Sequence, residues 1–219
     1  MQGRIVNVHT HHLSGQAQHT EIFNLDADCT LPAQYDGTFS VGLHPWTLQE
    51  KEMEDMWQRI LIQTQNKLCV AIGECGIDRL KGPDTLFQQH LFIRHVELAK
   101  QLHLPVIVHC VRAFDLLLPI ISSYPEVKFI IHGYQNNLQI AQHLLKHGAY
   151  LSFGQALLRM GNPIIRVFAQ MPSDRIFLEN DYDNIPIELI FDAAAAIRQC
   201  SAETIINTIY NNFKRVFSR

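Results

Sequence analysis

The sequence predicts an α/β fold in which helices cover a parallel β-sheet. Continuous runs of Val, Ile and Leu, typical of strands buried on both faces, alternate with helical patterns along most of the chain. Several runs end in a histidine or a carboxylate, and the carboxyl ends of parallel strands carry the functional residues of open sheets and β/α barrels. No linker divides the chain, so we expect one domain over residues 1–219, close to the shortest length for a barrel.

The first part of the chain is unusual for an alternating architecture. Its predicted elements are strands at residues 5–9, 21–25 and 38–42, a helix at 50–65 and a strand at 68–74. No helical pattern lies between His12 and Val41, where an alternating α/β chain would have one. We therefore expect irregular connections between the first three strands.

Strands and helices alternate regularly in the rest of the chain. Asp84 is predicted to cap a long helix, in which apolar residues such as Phe87 and Leu91 recur at helical spacing. Pro105 marks the start of the next strand, and Gly148 is predicted to end a later helix in the left-handed conformation. The other predicted elements are helices at residues 114–122, 163–169, 186–198 and 201–217 and strands at 128–132, 149–153 and 175–178.

Six potential metal ligands lie at or near the ends of predicted strands: His9, His11, Glu74, His109, His132 and Asp181. His9 and His11 are two residues apart, so on a strand both imidazoles point to the same face. Buried charged groups are costly unless they are paired or bind a metal, and histidine with carboxylate suits zinc and other first-row divalent metals. This set exceeds the needs of one catalytic zinc, so we expect two ions with Glu74 as the bridging ligand.

Such a site predicts hydrolysis without a covalent protein intermediate. Two metals lower the pKa of a bound water and polarise a phosphoryl or carbonyl oxygen. Asp181 is the predicted proton carrier, because a terminal carboxylate can bind one ion and also accept a hydrogen bond from the water. Taken alone, His9 or His132 is more commonly explained as a hydrogen-bonded histidine of the core.

The composition limits the partners and the location. The formal net charge is -3 and the sequence pI is about 6.4, so no long-range positive field attracts nucleic acid, although a local basic pocket or a metal can bind phosphate. Five cysteines without a CxxC pair, and no signal-peptide pattern, predict a cytoplasmic protein with free thiols. No apolar stretch is long enough to span a bilayer, so no membrane partner is expected. The oligomeric state stays open.

Six segments of the chain carry distinctive motifs: HTHHL at residues 9–13, VGLHPW at 41–46, IGECGID at 72–78, LPVIVHCVRA at 104–113, HGY at 132–134 and ENDYD at 179–183. Together they resemble the TatD-type metal-dependent hydrolases, a family that includes deoxyribonucleases. The resemblance implies a distorted TIM-like (β/α) barrel with two divalent metals, which we expect to be zinc, magnesium or manganese. It also implies the ligands of each metal: His9 and His11 for the first, His109 and His132 for the second, Glu74 between them, and Asp181 to complete the site.

The chain departs from the family pattern in four places. Asn7 stands where the family usually has Asp, and we expect it to support a metal ligand more weakly. Asn180 lies within the motif usually written ETD. The segment between His11 and His44 is short, so the first helix of the barrel is expected to be missing. The loop after Asp183 is also short. These two shortened segments lie near the predicted mouth and leave the choice of substrate open.

Four further residues near the predicted mouth have both a functional and a structural interpretation. Arg112 offers a guanidinium for phosphate, or it pairs with Asp115. His44 could bind substrate or orient a metal ligand, or it could be a histidine that only packs against its neighbours. Trp46 stacks on a base or is an ordinary rim aromatic, and Asp78 supports a metal ligand or caps a turn.

The remaining cysteines and histidines are predicted to have no role in the site. Side chains alternate along a strand, so Cys75 and Cys110, which follow Glu74 and His109, should point away from the metals. The histidines outside the motifs are predicted to lie on the surface: His12, His19, His90, His95, His103, His143 and His147.

Three hypotheses for function follow. The first is a two-metal phosphodiesterase that cleaves DNA, as an exonuclease on single strands or 3′ ends. The second keeps the metals but has a small ester, amide or aminoacyl substrate. Substrate binding that weakens steeply with salt would indicate nucleic acid, whereas salt-insensitive turnover would indicate the small molecule. The third is a non-catalytic binding protein, and the intact ligand set argues against it.

Overall fold

A computed structural model describes residues 3–27, 29–31, 34–47 and 51–217. It contains eight parallel strands in one sheet, in which the spatial order follows the chain order. The strands are Val6–Thr10 (β1), Thr20–Asp26 (β2), Thr38–Gly42 (β3), Cys69–Asp78 (β4), Val106–Val111 (β5), Phe129–Ile131 (β6), Tyr150–Phe153 (β7) and Ile176–Leu178 (β8).

Helices cover the outside of the sheet. They are Met53–Gln63 (α1), Thr85–Leu102 (α2), Phe114–Ser123 (α3), Leu138–Lys146 (α4), Ile164–Gln170 (α5), Ile187–Arg198 (α6) and Ala202–Phe217 (α7). The predicted start of the first helix at Glu50 lies outside the described residues, and within them the helix begins at Met53. In the described part of the chain, no helix is long and apolar enough to cross a membrane.

The first and last strands meet at the carboxyl-terminal edge of the sheet. The amide of His11 donates to the Asp181 carbonyl (3.1 Å), and the amide of Asp181 donates to the His9 carbonyl (3.2 Å). Thr10 and Asp181 also form a parallel bridge. The sheet therefore curls into a barrel that closes at this edge, which confirms the predicted TIM-like (β/α) barrel.

The expected loss of the first helix is confirmed, because residues 11–19 connect β1 to β2 without one. A loop takes the place of the helix, and hydrogen bonds hold it to neighbouring elements. The amide of Ser14 donates to Glu21 Oε2 (3.0 Å), and His19 Nε2 lies 3.2 Å from Glu188 Oε1. The His19 side chain is only 2% exposed, so its predicted surface position is wrong. The loop folds this ring against α6.

Strand β4 is longer than the sequence pattern predicts. It runs over Cys69–Asp78 with every residue buried, whereas the apolar run predicts residues 68–74. Gly76 makes the extension possible, since a Cβ at this position would overlap the His109 carbonyl of β5. Glu74 therefore lies in the middle of its strand, and Asp78 ends it.

The helix boundaries follow local capping chemistry. Asp84 caps α2, and its carboxylate accepts hydrogen bonds from the amides of Leu86 and Phe87 (3.0 Å each). The helix is capped at its carboxyl end by His103, whose backbone is left-handed with a φ of 54°. Gly148, just after α4, has a φ of 79°, so the predicted left-handed position is confirmed.

His95 is fully buried on α2, so its predicted surface position is wrong. Its Nε2 accepts a hydrogen bond from the Leu43 amide (3.0 Å), and its Nδ1 lies 2.8 Å from the Leu91 carbonyl and donates to it. Burial lowers the pKa of His95 to about 4, which keeps the ring neutral at physiological pH. Because Leu43 precedes His44, this hydrogen bond fixes the start of the loop that carries His44.

The substitution His95→Gln tests this anchor through the pH dependence of stability. A histidine whose pKa is lower in the folded state stabilises the fold above its unfolded pKa, and that stability is lost as the pH falls toward the folded pKa. For a pKa that drops from 6.5 to about 4 on folding, roughly 2 kcal/mol is lost between about pH 7.5 and about pH 5. Glutamine keeps an acceptor for the Leu43 amide but does not titrate.

Urea unfolding of both proteins at the two pH values measures the effect. The variant should lose less free energy of unfolding on acidification than the wild type, by about this amount. Equal losses in the two proteins would show that His95 is not a neutral, buried acceptor.

Candidate metal centre

Glu74 lies at the centre of the carboxyl-terminal mouth of the barrel. Its side chain is almost completely buried, and its two carboxylate oxygens face different groups of histidines. Its backbone amide donates to Asn24 Oδ1 (2.7 Å), and Ser40 Oγ donates to the same oxygen (3.4 Å). Asn24 was not predicted to contribute to the site. The sequence feature that could have indicated this role is the position of a polar residue within the apolar run IFNLD of β2.

The first group of ligand atoms gathers around Glu74 Oε2. His9 Nε2 lies 3.3 Å from this oxygen and His11 Nε2 lies 3.5 Å from it. Asp181 Oδ1 is 3.4 Å from the first of these nitrogens and 3.6 Å from the second. Among the described residues, both nitrogens are buried without a hydrogen-bond partner. Buried imidazole nitrogens that lack a partner and converge with two carboxylate oxygens fit a divalent cation.

The second group gathers around Glu74 Oε1. His109 Nδ1 and His132 Nε2 each lie 2.7 Å from this oxygen, and His44 Nε2 lies 3.1 Å from it. His44 Nε2 and His132 Nε2 are also each 3.3 Å from His109 Nδ1. The structure therefore brings His44, a predicted substrate-binding residue, into the same cluster as two predicted ligands. Among the described residues, three groups of side chains have donor atoms close enough together to hold a metal ion: His9, His11 and Glu74; His9, His132 and Asp181; and His44, Glu74 and His109.

Hydrogen bonds on the far side of each ring determine which nitrogen can bind a cation. His132 Nδ1 lies 3.3 Å from Glu179 Oε1, and His109 Nε2 lies 3.2 Å from Asp78 Oδ2. Because an ionised carboxylate only accepts hydrogen bonds, these far-side nitrogens carry protons, so on binding of a cation the nitrogens facing Glu74 would be the ones to give up their protons and offer lone pairs. Asp78 thus contacts the far side of a predicted metal ligand, as the functional interpretation of this residue requires. Glu179 has the same role for His132, which the sequence did not reveal.

His44 has the opposite arrangement. Its Nδ1 accepts a hydrogen bond from the Trp46 amide (3.1 Å), so in the neutral ring Nε2 carries the proton. This nitrogen therefore faces Glu74 Oε1 with an N–H group and not with a lone pair. The geometry therefore distinguishes His44 from the other histidines of the cluster, and its role toward substrate stays a prediction.

The charges in the cluster stabilise each other. Burial opposes ionisation of Glu74, but the surrounding histidines, with His132 contributing most, hold its pKa well below the usual range. Burial also opposes the charged form of His9, yet the Asp181 and Glu74 carboxylates raise its pKa to about 9. Burial opposes ionisation of Asp181, and the nearby His9 imidazole nevertheless lowers its pKa. A cation that binds here takes the place of imidazole protons.

Asp181 lies in a tight turn at the seam between β8 and β1. The Asp183 amide donates to the Asn180 carbonyl (2.8 Å), and Asp181 itself is left-handed with a φ of 53°. Asn7 Nδ2 donates to Asn180 Oδ1 (2.8 Å), and the Asn180 amide donates to Asn7 Oδ1 (3.2 Å). Two departures from the family pattern thus pair with each other. Asn7 holds the turn in place, and it does not support a histidine as expected.

The remaining predicted residues lie around the mouth. Trp46 is half exposed, and its indole nitrogen donates to Asp78 Oδ2. Arg112 is exposed on the loop after β5, where the described residues offer its guanidinium no ion pair. Its alternative pairing with Asp115 is wrong, because the two carboxylate oxygens of Asp115 accept from Arg79 (2.6 Å each). The structure does not bring Arg112 into either histidine cluster.

The two cysteines beside the predicted ligands do not have the properties of nucleophiles. Burial raises the pKa of the Cys75 thiol well above its usual value and that of Cys110 to about 12. Cys75 Sγ points at the Ile107 carbonyl (4.0 Å) and not at the clusters.

The sequence patterns assign no role to Tyr182. In the structure its ring stacks on the ring of His11, with the centroids 3.7 Å apart.

Comparisons with known proteins identify the family of the chain. A family model described as TatD related DNase matches residues 4–218. An uncharacterized metal-dependent hydrolase of Haemophilus influenzae is 26% identical over 205 residues, which cover 82% of this chain and 77% of that protein. The 3'-5' ssDNA/RNA exonuclease TatD of Cronobacter sakazakii is 29% identical over 170 residues, 74% of this chain and 64% of that protein.

The fold is also found among solved structures. The crystal structure of YjjV, a TatD homologue from Escherichia coli K12, superposes with a TM-score of 0.82 at 22% sequence identity. The match covers 100% of both chains. The likeness establishes the barrel architecture over the whole chain.

The substitutions His132→Ala and His44→Ala test the assignment of lone pairs. Each purified variant is loaded with zinc or manganese, dialysed, and analysed for metal content. Loss of His132 removes a ligand atom, so we expect its metal affinity to fall by at least about tenfold. His44→Ala should keep the metal content of the wild type, since its Nε2 offers a proton. Equal metal loss in both variants would identify His44 as a ligand and contradict this assignment.

Proposed function

The chain belongs to the TatD related DNase family of metal-dependent hydrolases, and we propose that it is a two-metal phosphodiesterase that removes nucleotides from the 3′ ends of single-stranded DNA. The observation that carries this proposal is the Glu74 carboxylate, whose two oxygens face two separate histidine clusters. This is the arrangement expected of a bridging ligand between two cations.

The proposed ligands are those that the sequence motifs imply. His9 and His11 would hold one ion and His109 and His132 the other, with Glu74 shared by both pairs and Asp181 next to the first pair. Four imidazoles favour zinc or another first-row metal such as manganese over magnesium. When bound, the ions activate a water molecule for attack and neutralise charge on the scissile phosphate.

The side chains of the chain supply the proton transfers and the orientation. Asp181 is ionised, so it can accept a proton from the attacking water and return it to the leaving oxygen. His44 Nε2 carries a proton and can donate a hydrogen bond to a phosphate oxygen. Arg112, exposed on the loop after β5, can bind a neighbouring phosphate through its guanidinium.

The preference for single strands is supported by two observations. The formal net charge of -3 is unfavourable for tight binding along a duplex backbone, whose affinity comes mainly from phosphate contacts. The relative from Cronobacter sakazakii is named as an exonuclease of single-stranded DNA and RNA. A 3′ end also presents one terminal phosphodiester to a recessed site.

A cleavage assay on 5′-labelled single-stranded DNA tests the proposal. Protein stripped of metal should be inactive, and zinc, manganese or magnesium should restore stepwise loss of nucleotides from the 3′ end. Asp181→Asn should reduce the rate by about 10²- to 10⁴-fold, because it removes the proton acceptor. Circular dichroism should show that this variant is folded. Full activity of Asp181→Asn would remove Asp181 from the mechanism.

The same assay separates the proposal from hydrolysis of a small substrate. Binding of DNA should weaken steeply as salt rises, because phosphate contacts release counterions. If every metal leaves DNA intact while a small ester or amide is hydrolysed without dependence on salt, the substrate is the small molecule and the nuclease proposal is wrong.

A further inference from the structure

Tyr182 is an aromatic residue at the mouth that the proposed chemistry does not use. It lies in the turn between Asn180 and Asp183, directly after Asp181. One face of its ring stacks on His11, with an interplanar angle of 18° and a centroid distance of 3.7 Å. The residue is nevertheless 59% exposed, so Tyr182 is accessible from solvent.

The position of this ring is fixed from two sides. The turn that carries it is held to β1 by the amide pair of Asn7 and Asn180. The His11 imidazole beneath it is 93% buried, as its side-chain exposure is only 7%. A flat, open aromatic face is therefore presented beside the first histidine cluster at low entropic cost, since neither the turn nor the supporting ring has to become ordered on binding.

The other exposed aromatic of the mouth is less available. Trp46 lies beside the second cluster, where its ring contacts His44 and His109 edge to face. The ammonium of Lys81 lies 3.9 Å from the centre of the Trp46 ring and covers one face. The indole nitrogen is bound to Asp78. Tyr182 is therefore the better platform for a planar group of the substrate.

We propose that Tyr182 binds an unpaired nucleobase next to the scissile phosphate by stacking, and that this contact selects single-stranded over duplex ends. The inference rests on the proposed function and names the substrate feature that the same site recognises. A base can reach the ring only when it leaves its own stack, which costs least in a single strand. Stacking on an aromatic side chain tolerates every base, because every base has a π-face.

The experiment compares wild type with Tyr182→Leu on two single strands. One strand is intact, and the other lacks the two bases adjoining the terminal phosphodiester but keeps the backbone. On the intact strand, Tyr182→Leu should weaken binding and raise KM by about 5- to 150-fold. On the abasic strand the two proteins should behave alike, because the contact that the substitution removes is already missing.

Three controls accompany the comparison. Tyr182→Phe keeps the ring and should restore the preference for the intact strand. Met160→Ala changes another exposed apolar residue, in the loop after β7 and 98% exposed, and should leave both strands unaffected. Metal content is measured for each protein, and binding is followed by fluorescence anisotropy as well as by cleavage.

The outcomes separate this inference from the proposed function. If wild type cleaves the intact strand and Tyr182→Leu binds and cleaves both strands as wild type does, the stacking inference is overturned and the nuclease stands. If Tyr182→Leu loses metal and is impaired equally on both strands, the ring protects His11 and does not bind a base. If wild type neither binds nor cleaves any DNA, the proposed function itself fails and this inference fails with it.

Discussion

The buried carboxylate of Glu74 is the interaction on which the mouth of this barrel depends. An ionised group that is almost fully buried is costly unless hydrogen bonds and opposite charges compensate for it. Imidazole nitrogens of five histidines within 3.5 Å provide that compensation: His9, His11, His44, His109 and His132. The Asn24 side chain fixes the backbone of Glu74 from β2. The same negative charge that makes this site costly makes it a strong attractor for cations.

Closure of the barrel brings the first cluster together. His9 and His11 come from β1 and the residue after it, whereas Asp181 follows β8 at the other end of the chain. Their backbones are joined by the hydrogen bonds that close the sheet, and the paired amides of Asn7 and Asn180 secure the same seam. A cation in this cluster would therefore link the first and last strands, so binding and closure stabilise each other.

The sequence predicts those parts of the site that depend on local patterns. Six polar residues interrupt or end apolar runs, and the common direction of parallel strands brings them together. The sequence cannot predict features that depend on distant partners. His95 reads as a surface residue because its acceptor role needs the Leu43 amide, 52 residues away. The pairing of Asn7 with Asn180 depends on a register across 173 residues.

The proton positions of the second cluster were equally hidden from the sequence. The Trp46 amide behind the His44 ring determines that the nitrogen of His44 facing Glu74 carries the proton. The Glu179 carboxylate behind the His132 ring determines which nitrogen of His132 is available to a cation. The length of β4 was missed because its apolar run is interrupted by Glu74 and Gly76, although close backbone contact with β5 continues the strand. The local sequence pattern determines which side chains reach the mouth, and the tertiary contacts determine the protonation and the hydrogen bonds of each.

The most direct test of this account is the number of cations that each chain binds. Isothermal titration of metal-free protein with zinc or manganese, supported by native mass spectrometry, gives the stoichiometry for wild type and for Glu74→Gln. We expect two ions per wild-type chain, and the loss of at least one high-affinity ion when the substitution removes the charge of Glu74. A single ion in the wild type, or unchanged binding of both ions by Glu74→Gln, would contradict the central place given to this carboxylate.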